Sequence, residues 1–237
     1  IEEYIDRECK EIEKSNRKDK QKSIEYLQNI KNKKAENFEE SLQRILFFNQ
    51  MLWQTGHGLN GLGRLDKILE ETYKKDIESK LITKQQAKEM IKEFAKILHQ
   101  KFWYKSNVLM GDTGQIIILG GKELDGSYFC NELTYLFIEA IEELQLPDPK
   151  VFLRVTDKVP RDLMELSLKC IKTGVGCPLF SNDDVIIPKL IEFGFEKKAA
   201  FNYFTAAFWE PMKVGKSVEQ NNIDPNGYLT PLTKMLQ

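Results

Sequence analysis

The run Gln115-Ile-Ile-Ile-Leu119, closed by Gly120-Gly121, decides the class of this fold. An unbroken β-favouring stretch stopped by paired glycines predicts a buried strand, of the kind a parallel sheet covers on both faces. Val151-Phe-Leu-Arg-Val155 predicts a second such strand. Between them, Asn131 to Leu144 has helical spacing and is stopped by Pro147 and Pro149. Strand, helix, strand implies a crossover and parallel pairing. Further on, Pro160 suits the first turn of a helix ending at Gly174, and Pro178 to Asn182 reads as a short strand or loop. Pro188 is expected to open a helix that ends at Gly194. Phe201 to Trp209, apolar and aromatic, predicts another strand running into a loop.

Upstream of residue 110 helix dominates. Residues 1–34 are rich in charge, with Ile5, Ile12, Ile24, Leu27 and Ile30 near helical spacing, which predicts one or two solvated helices. Phe38, Leu42, Ile45, Leu46, Leu52 and Trp53 form one stripe of an amphipathic helix. Gly56, Gly58, Gly61 and Gly63 end it, marking backbone that turns or approaches something closely. Leu65 to Asp76 reads as one further helix. Thr83-Lys-Gln-Gln86 is a capping box, opening a helix with Ala87, Met90, Ile91, Phe94, Ile97 and Leu98 inward. The expected division is a helical layer over 1–107 and an α/β part over 108–237, or one continuous domain.

The chain has 237 residues, 35 Lys plus Arg against 36 Asp plus Glu, and 41% hydrophobic residues. That is a globular composition, and near-neutral charge argues against non-specific nucleic-acid binding. No apolar run approaches the roughly 18 residues of a membrane span, so neither nucleic acid nor membrane is an expected partner. The first residues carry no signal-peptide pattern, and a cytoplasmic location is expected. Without an initiator Met, the chain is expected to be a piece of a longer protein or a processed product. Cys9, Cys130, Cys170 and Cys177 contain no CxxC pair, so reduced, buried thiols are preferred to a metal site or a disulfide framework.

Chemistry is expected outside the carboxyl ends of the strands. Glu210, in Trp209-Glu-Pro211 after an apolar run, would be desolvated there and prepared for proton transfer. An ion pair with Lys213 or Lys216 is the simpler reading from position alone. Gly215-Lys216-Ser217 is not a P-loop, because position 210 is Glu where the motif requires Gly. Lys216 stays open as an anion contact or a surface lysine. His57 lies between glycines, which favours a ligand-facing role, whereas Arg64 and Asp66 read as loop-holding residues. Asn182-Asp183-Asp184 reads better as a helix cap than as a metal site.

Taken in order, several segments resemble the glycyl radical enzymes of the pyruvate formate-lyase type. Gly63-Arg-Leu-Asp66, Tyr73-Lys-Lys-Asp76, Thr83 and Ala87 are similar to one stretch of that family. Gly120-Gly121, Asp125-Gly126 and Asn131-Glu-Leu-Thr-Tyr135 are similar to a second. Leu153-Arg-Val155, Thr173-Gly-Val-Gly176, Phe180-Ser-Asn-Asp-Asp184 and Ile187-Pro188 resemble a third. Gly215-Lys216-Ser217 then follows Glu210-Pro211 as in the family pattern. The resemblance implies a helix-rich α/β fold, part of a ten-stranded α/β barrel, here a half-barrel of mostly parallel strands wrapped by helices. It also implies radical chemistry, in which a glycyl radical near a C-terminus passes to a cysteine at the tip of a central loop.

The resemblance also assigns residues. Glu210 corresponds to the proton-moving glutamate of the eliminases and dehydratases. His57 corresponds to a substrate-binding histidine of diol dehydratases, although Gly58 stands where they have serine. Asn222 falls where they carry an aspartate that engages hydroxyl groups; an amide can still hydrogen-bond a hydroxyl but is no base. Trp209 and Asn182 complete the expected substrate-binding set. Phe208 occupies the position of the radical cysteine, and Phe has no abstractable S–H. Cys177 falls where the family usually has an apolar residue and is not a substitute. No glycyl-loop motif is found before Gln237.

The expected function is a core fragment or degenerate homologue with a polyol-type pocket for a small hydroxylated substrate, lacking the thiyl cysteine. The chain itself is expected to bind no cofactor. A separate S-adenosylmethionine-dependent activating enzyme would install the radical in a complete form. The alternative is a non-catalytic scaffold that completes a barrel with a second chain or a copy of itself. A third reading takes Phe208 as a change in an otherwise active enzyme.

Overall fold

The computed structural model describes residues 2–54, 61–100, 115–206 and 211–216. Two charged helices, α1 (Glu2–Lys14) and α2 (Lys20–Asn32), precede the long α3 (Phe38–Gln54). Lys31 Nζ donates to Asp6 across the first pair at 2.9 Å, and Ile5 and Cys9 are buried. Then come β1 (Gly61–Arg64), α4 (Leu65–Ile68), α5 (Glu70–Glu78) and α6 (Lys84–Gln100). The capping box of α6 is present: the Gln86 N–H donates to Thr83 Oγ1 at 3.2 Å and the Thr83 N–H to Gln86 Oε1 at 2.8 Å.

Past residue 115 the order is β2 (Ile116–Lys122), β3 (Tyr128–Phe129), α7 (Glu132–Leu144), β4 (Lys150–Val155) and α8 (Arg161–Lys172). β5 (Leu179–Asn182), α9 (Asp183–Glu192), α10 (Lys197–Phe201), β6 (Phe204–Thr205) and β7 (Pro211–Met212) complete it. The sheet runs β1-β2-β4-β5, all parallel, with β3 antiparallel on β2. This is the helix-rich α/β architecture with parallel strands that the apolar runs predict.

Side chains alternate across the sheet. Ile117, Leu119, Val151 and Leu153 join Phe38, Leu65, Phe94, Leu98, Leu133 and Phe137 in one helix-covered core. Each fully buried Ile or Leu there contributes about 2 kcal/mol. This core draws on residues from both sides of position 108. Ile116, Ile118 and Phe152 face the opposite way, and Leu179 and Phe204 pack against them. On that inner face the covering element is β6 rather than a helix, and it pairs with β7.

Four expectations need correction. Gly61–Arg64 is a strand, not merely the end of a helix; backbone pairing with β2 outweighs the poor strand propensity of glycine. Leu65 to Asp76 is two helices hinged at Leu69, which lets Asp66 reach the β2 backbone while Tyr73 and Asp76 turn inward. The Asp76 carboxylate then receives the Phe38 N–H at the start of α3, at 2.7 Å. Pro188 lies inside α9 rather than opening it, because the Asn182 cap and the acidic first turn of Asp183 and Asp184 start the helix earlier.

Finally, Phe201 ends a helix, and only Phe204 and Thr205 are extended among the described residues of the stretch 201–209. Arg154 takes the carbonyls of Phe201 and Tyr203, at 3.0 and 3.4 Å, which a strand would have used in its ladder.

Candidate active site

The inner face of the sheet carries one charged side chain in the middle of an apolar strand. Arg154, on β4 beside Phe152, is wholly buried. A buried guanidinium requires a partner and filled donors. Its partner is Asp183, the first residue of α9, with Nε 2.9 Å from Oδ1 and Nη2 2.8 Å from Oδ2. The Tyr203 hydroxyl donates to Asp183 Oδ1 at 2.9 Å, and the Lys122 N–H donates to Oδ2 at 2.7 Å. The Tyr203 ring lies 4.2 Å from the guanidinium carbon, and burial pushes its phenol pKa up. Gly121 makes the close approach feasible: its φ is +124°, and a Cβ there would lie 2.8 Å from Arg154 Cζ. One buried pair thus ties the ends of β2 and β4, the start of α9 and the chain entering β6.

The second anchor is Gly61. A Cβ on this residue would lie 2.7 Å from the Thr205 carbonyl oxygen and 2.6 Å from Phe204 Cε2. β6 therefore crosses directly over the start of β1. Thr205 pairs with Pro211 and Phe204 with Met212, so the chain reverses between 205 and 211. The residues on the other side of this pair, Phe201, Asn202, Lys213 and Val214, lie with Arg64 at the far end of β1. The β6–β7 pair therefore runs along β1, with Phe204 and Thr205 at its Gly61 end.

A third buried group holds the frame. Asp66 Oδ2 receives the Gly120 N–H at 2.7 Å and the Thr134 hydroxyl at 2.8 Å. Asn131 caps α7 through the Thr134 N–H and donates from Nδ2 to the Asp66 carbonyl at 2.9 Å. Burial holds the Asp66 carboxyl above its ordinary pKa. Asp66 is thus the loop-holding residue it was expected to be, and Arg64 is paired with Glu123 at 3.0 Å.

His57, Phe208, Trp209, Glu210 and Asn222 lie outside the described residues. Asn182 is described and exposed; its side-chain oxygen receives the Asp184 N–H at 3.0 Å as the cap of α9. Asp183, expected as part of that cap, is the counter-ion of Arg154 instead. Arg154 and Tyr203 escaped the sequence reading, whereas Gly61, expected to mark close backbone approach, meets β6. A single arginine inside Val151–Val155 was the available signal, since a charge in a buried strand demands a partner. The four cysteines are free thiols; burial pushes Cys170 up to about 12 and Cys177 upward, which keeps both protonated and unreactive. No group of three or more His, Cys, Asp or Glu suited to a metal occurs among the described residues. No helix among them is long and apolar enough to cross a membrane.

A parallel α/β sheet with an antiparallel pair laid along its inner face defines a barrel-type site, and comparison with known proteins names it. The family model described as pyruvate formate lyase-like matches residues 1–236, so the chain belongs to that family of glycyl radical enzymes. The 4-hydroxyphenylacetate decarboxylase glycyl radical subunit of Clostridium scatologenes is 31% identical over 170 residues, 69% of this chain and 19% of the relative. The (2S)-3-sulfopropanediol dehydratase of Klebsiella oxytoca is 27% identical over 189 residues, 76% of this chain and 23% of the relative. A solved structure concerned with 1,2-propanediol dehydration in Roseburia inulinivorans superposes with a TM-score of 0.74 at 27% identity, covering 89% of this chain and 28% of that one. The chain spans about a fifth of the length of these curated relatives.

Proposed function

We propose that this chain builds the wall of a pocket for a small hydroxylated substrate, and that with Phe208 in place of a thiol it binds without abstracting hydrogen. The observation that carries the reading is the contact of β6 with Gly61. His57 precedes Gly61 by four residues, and Glu210 directly precedes Pro211, whose partner is Thr205. Both therefore join the described chain at the same end of the β6–β7 pair. In this reading His57 and Asn222 hold substrate hydroxyl groups, Glu210 exchanges a proton with them, and Trp209 lines the approach, whereas Asn182, expected in the same set, lies at the opposite end of the sheet beside Val155 and caps α9 instead. Relatives concerned with 1,2-propanediol and (2S)-3-sulfopropanediol support a diol-like ligand. In a complete and active form, the radical would come from a separate S-adenosylmethionine-dependent activating enzyme.

The test is thermal unfolding of the chain with 1,2-propanediol and with glycerol. A saturable rise in Tm that His57→Ala and Glu210→Gln each weaken at least tenfold in apparent affinity supports the pocket. A rise unchanged by both substitutions, or none at all, rejects it. For the reading of Phe208 as a change in an active enzyme, Phe208→Cys is activated anaerobically with the glycyl loop supplied in trans. An organic radical signal supports that reading, and its absence counts against it.

A second reading rests on the sheet edge. Among the described residues no strand pairs with the outer side of β5, and Phe180 on that strand is 41% exposed. An open apolar edge is a template for a further strand, so the chain would complete its barrel with a second polypeptide. Concentration-dependent association in light scattering supports this, and a monomer at high micromolar concentration opposes it.

A further inference from the structure

A cavity of about 430 Å3 lies beside the C-terminal end of β1, at the end of the β6–β7 pair away from Gly61. Its lining is lopsided in charge. Arg64, Lys67, Lys198 and Lys216 face it from β1, α4, α10 and the turn after β7, against the carboxylates Glu123 and Glu196. Both carboxylates are already engaged: Glu123 with Arg64 and Lys67 at 3.0 and 2.7 Å, Glu196 with Lys216 at 3.9 Å. Lys213, over the Phe195 ring, adds a further positive charge to the wall.

Arg64 supplies the independent observation. Its side chain is only 5% exposed, Nη2 donates to Glu123, and Nε is buried with no hydrogen-bond partner among the described residues. A buried donor left unmatched is costly, so this guanidinium keeps capacity for a further acceptor. Burial, and after it the nearby Arg154 charge, hold the Arg64 pKa below its ordinary value. A rigid guanidinium among lysines suits a tetrahedral oxyanion better than a carboxylate, because several cations surround one doubly charged group. The cavity is several times larger than a phosphate, and Leu124, Phe201 and Val214 form an apolar side.

We propose that this cavity binds the phosphate of a small phosphomonoester, with Arg64, Lys198 and Lys216 on the oxyanion and the ester's organic group against Phe201 and Val214. The site uses neither His57 nor Glu210, so it stands or falls separately from the diol pocket. Inorganic phosphate and phenyl phosphate are titrated in thermal unfolding at constant ionic strength with chloride. A saturable Tm rise, with phenyl phosphate the tighter, is expected. The exposed double variant Lys198→Gln/Lys216→Gln should weaken it at least tenfold, whereas Lys172→Gln on α8, with equal folding in chloride, should leave it unchanged. No saturable rise, or equal weakening by Lys172→Gln, overturns the site. Phenyl phosphate binding no tighter than inorganic phosphate overturns the ester assignment.

Discussion

Arg154 and Asp183 form a buried ion pair with no exposed side-chain surface, closed by three contacts of 2.8 to 3.1 Å. The pair joins two strands to a helix start, and through Tyr203 and the carbonyls of Phe201 and Tyr203 it fixes where the chain enters β6. The arrangement is stable because Asp183 fills its remaining acceptor sites with the Lys122 N–H and the Tyr203 hydroxyl.

Asp183→Asn keeps the volume but leaves the guanidinium buried without its counter-charge. Breaking one side of a buried pair costs about 3–5 kcal/mol. Urea unfolding should show a loss of that size, and amide exchange at Phe204 and Thr205 should accelerate. A loss under 1 kcal/mol, about that of a surface pair, would show that the pair is not an anchor.

Gly61→Ala tests the seat of β6. The new Cβ meets backbone, the Thr205 oxygen, so a side-chain rotation cannot relieve it. A cost of about 1–3 kcal/mol is expected, the usual price of overpacking. Gly126→Ala is the reference: φ is +81° there, but nothing lies within 4 Å of the added Cβ. Its cost reports backbone strain alone, on the order of 1 kcal/mol. The discriminating result is exchange at Thr205, which Gly61→Ala should speed and Gly126→Ala should not.

Asp66 gives a signature in pH. Burial raises its folded-state pKa above the ordinary carboxylate value, so the native chain holds this proton more tightly than the unfolded chain. Its contribution to stability is full below the unfolded pKa of about 4 and is lost as pH rises through the folded value. Asp66→Asn can still accept from the Gly120 N–H and the Thr134 hydroxyl but does not titrate. The stability of wild type relative to Asp66→Asn should therefore fall as pH is raised from about 4 to 7. A difference that stays level or moves in favour of the wild type refutes the assignment.

Helices α3, α6, α7 and α8 and strands β2 and β4 were legible before any coordinates, because each carries its signal within a dozen or so residues. Apolar side chains recur on a helical stripe or run unbroken through a strand, and Thr83-Gln86, Pro160 and Gly174 mark ends by local backbone chemistry. The ordered motifs from Gly63 to Lys216 likewise pointed to the pyruvate formate lyase-like family.

What local pattern could not supply is pairing across distance. Glycine has no side chain to advertise a strand, so β1 became visible only through its ladder with β2 and the weight of β6 upon Gly61. Pro188 misled because the cap six residues earlier outweighs the one hydrogen bond a proline omits. The partner of Arg154 lies 29 residues away, and the unmatched Arg64 Nε beside lysines from α4, α10 and the turn after β7 has no sequence signature at all. Charge compensation and close backbone approach are properties of neighbours in space, and only the folded chain decides which residues those are.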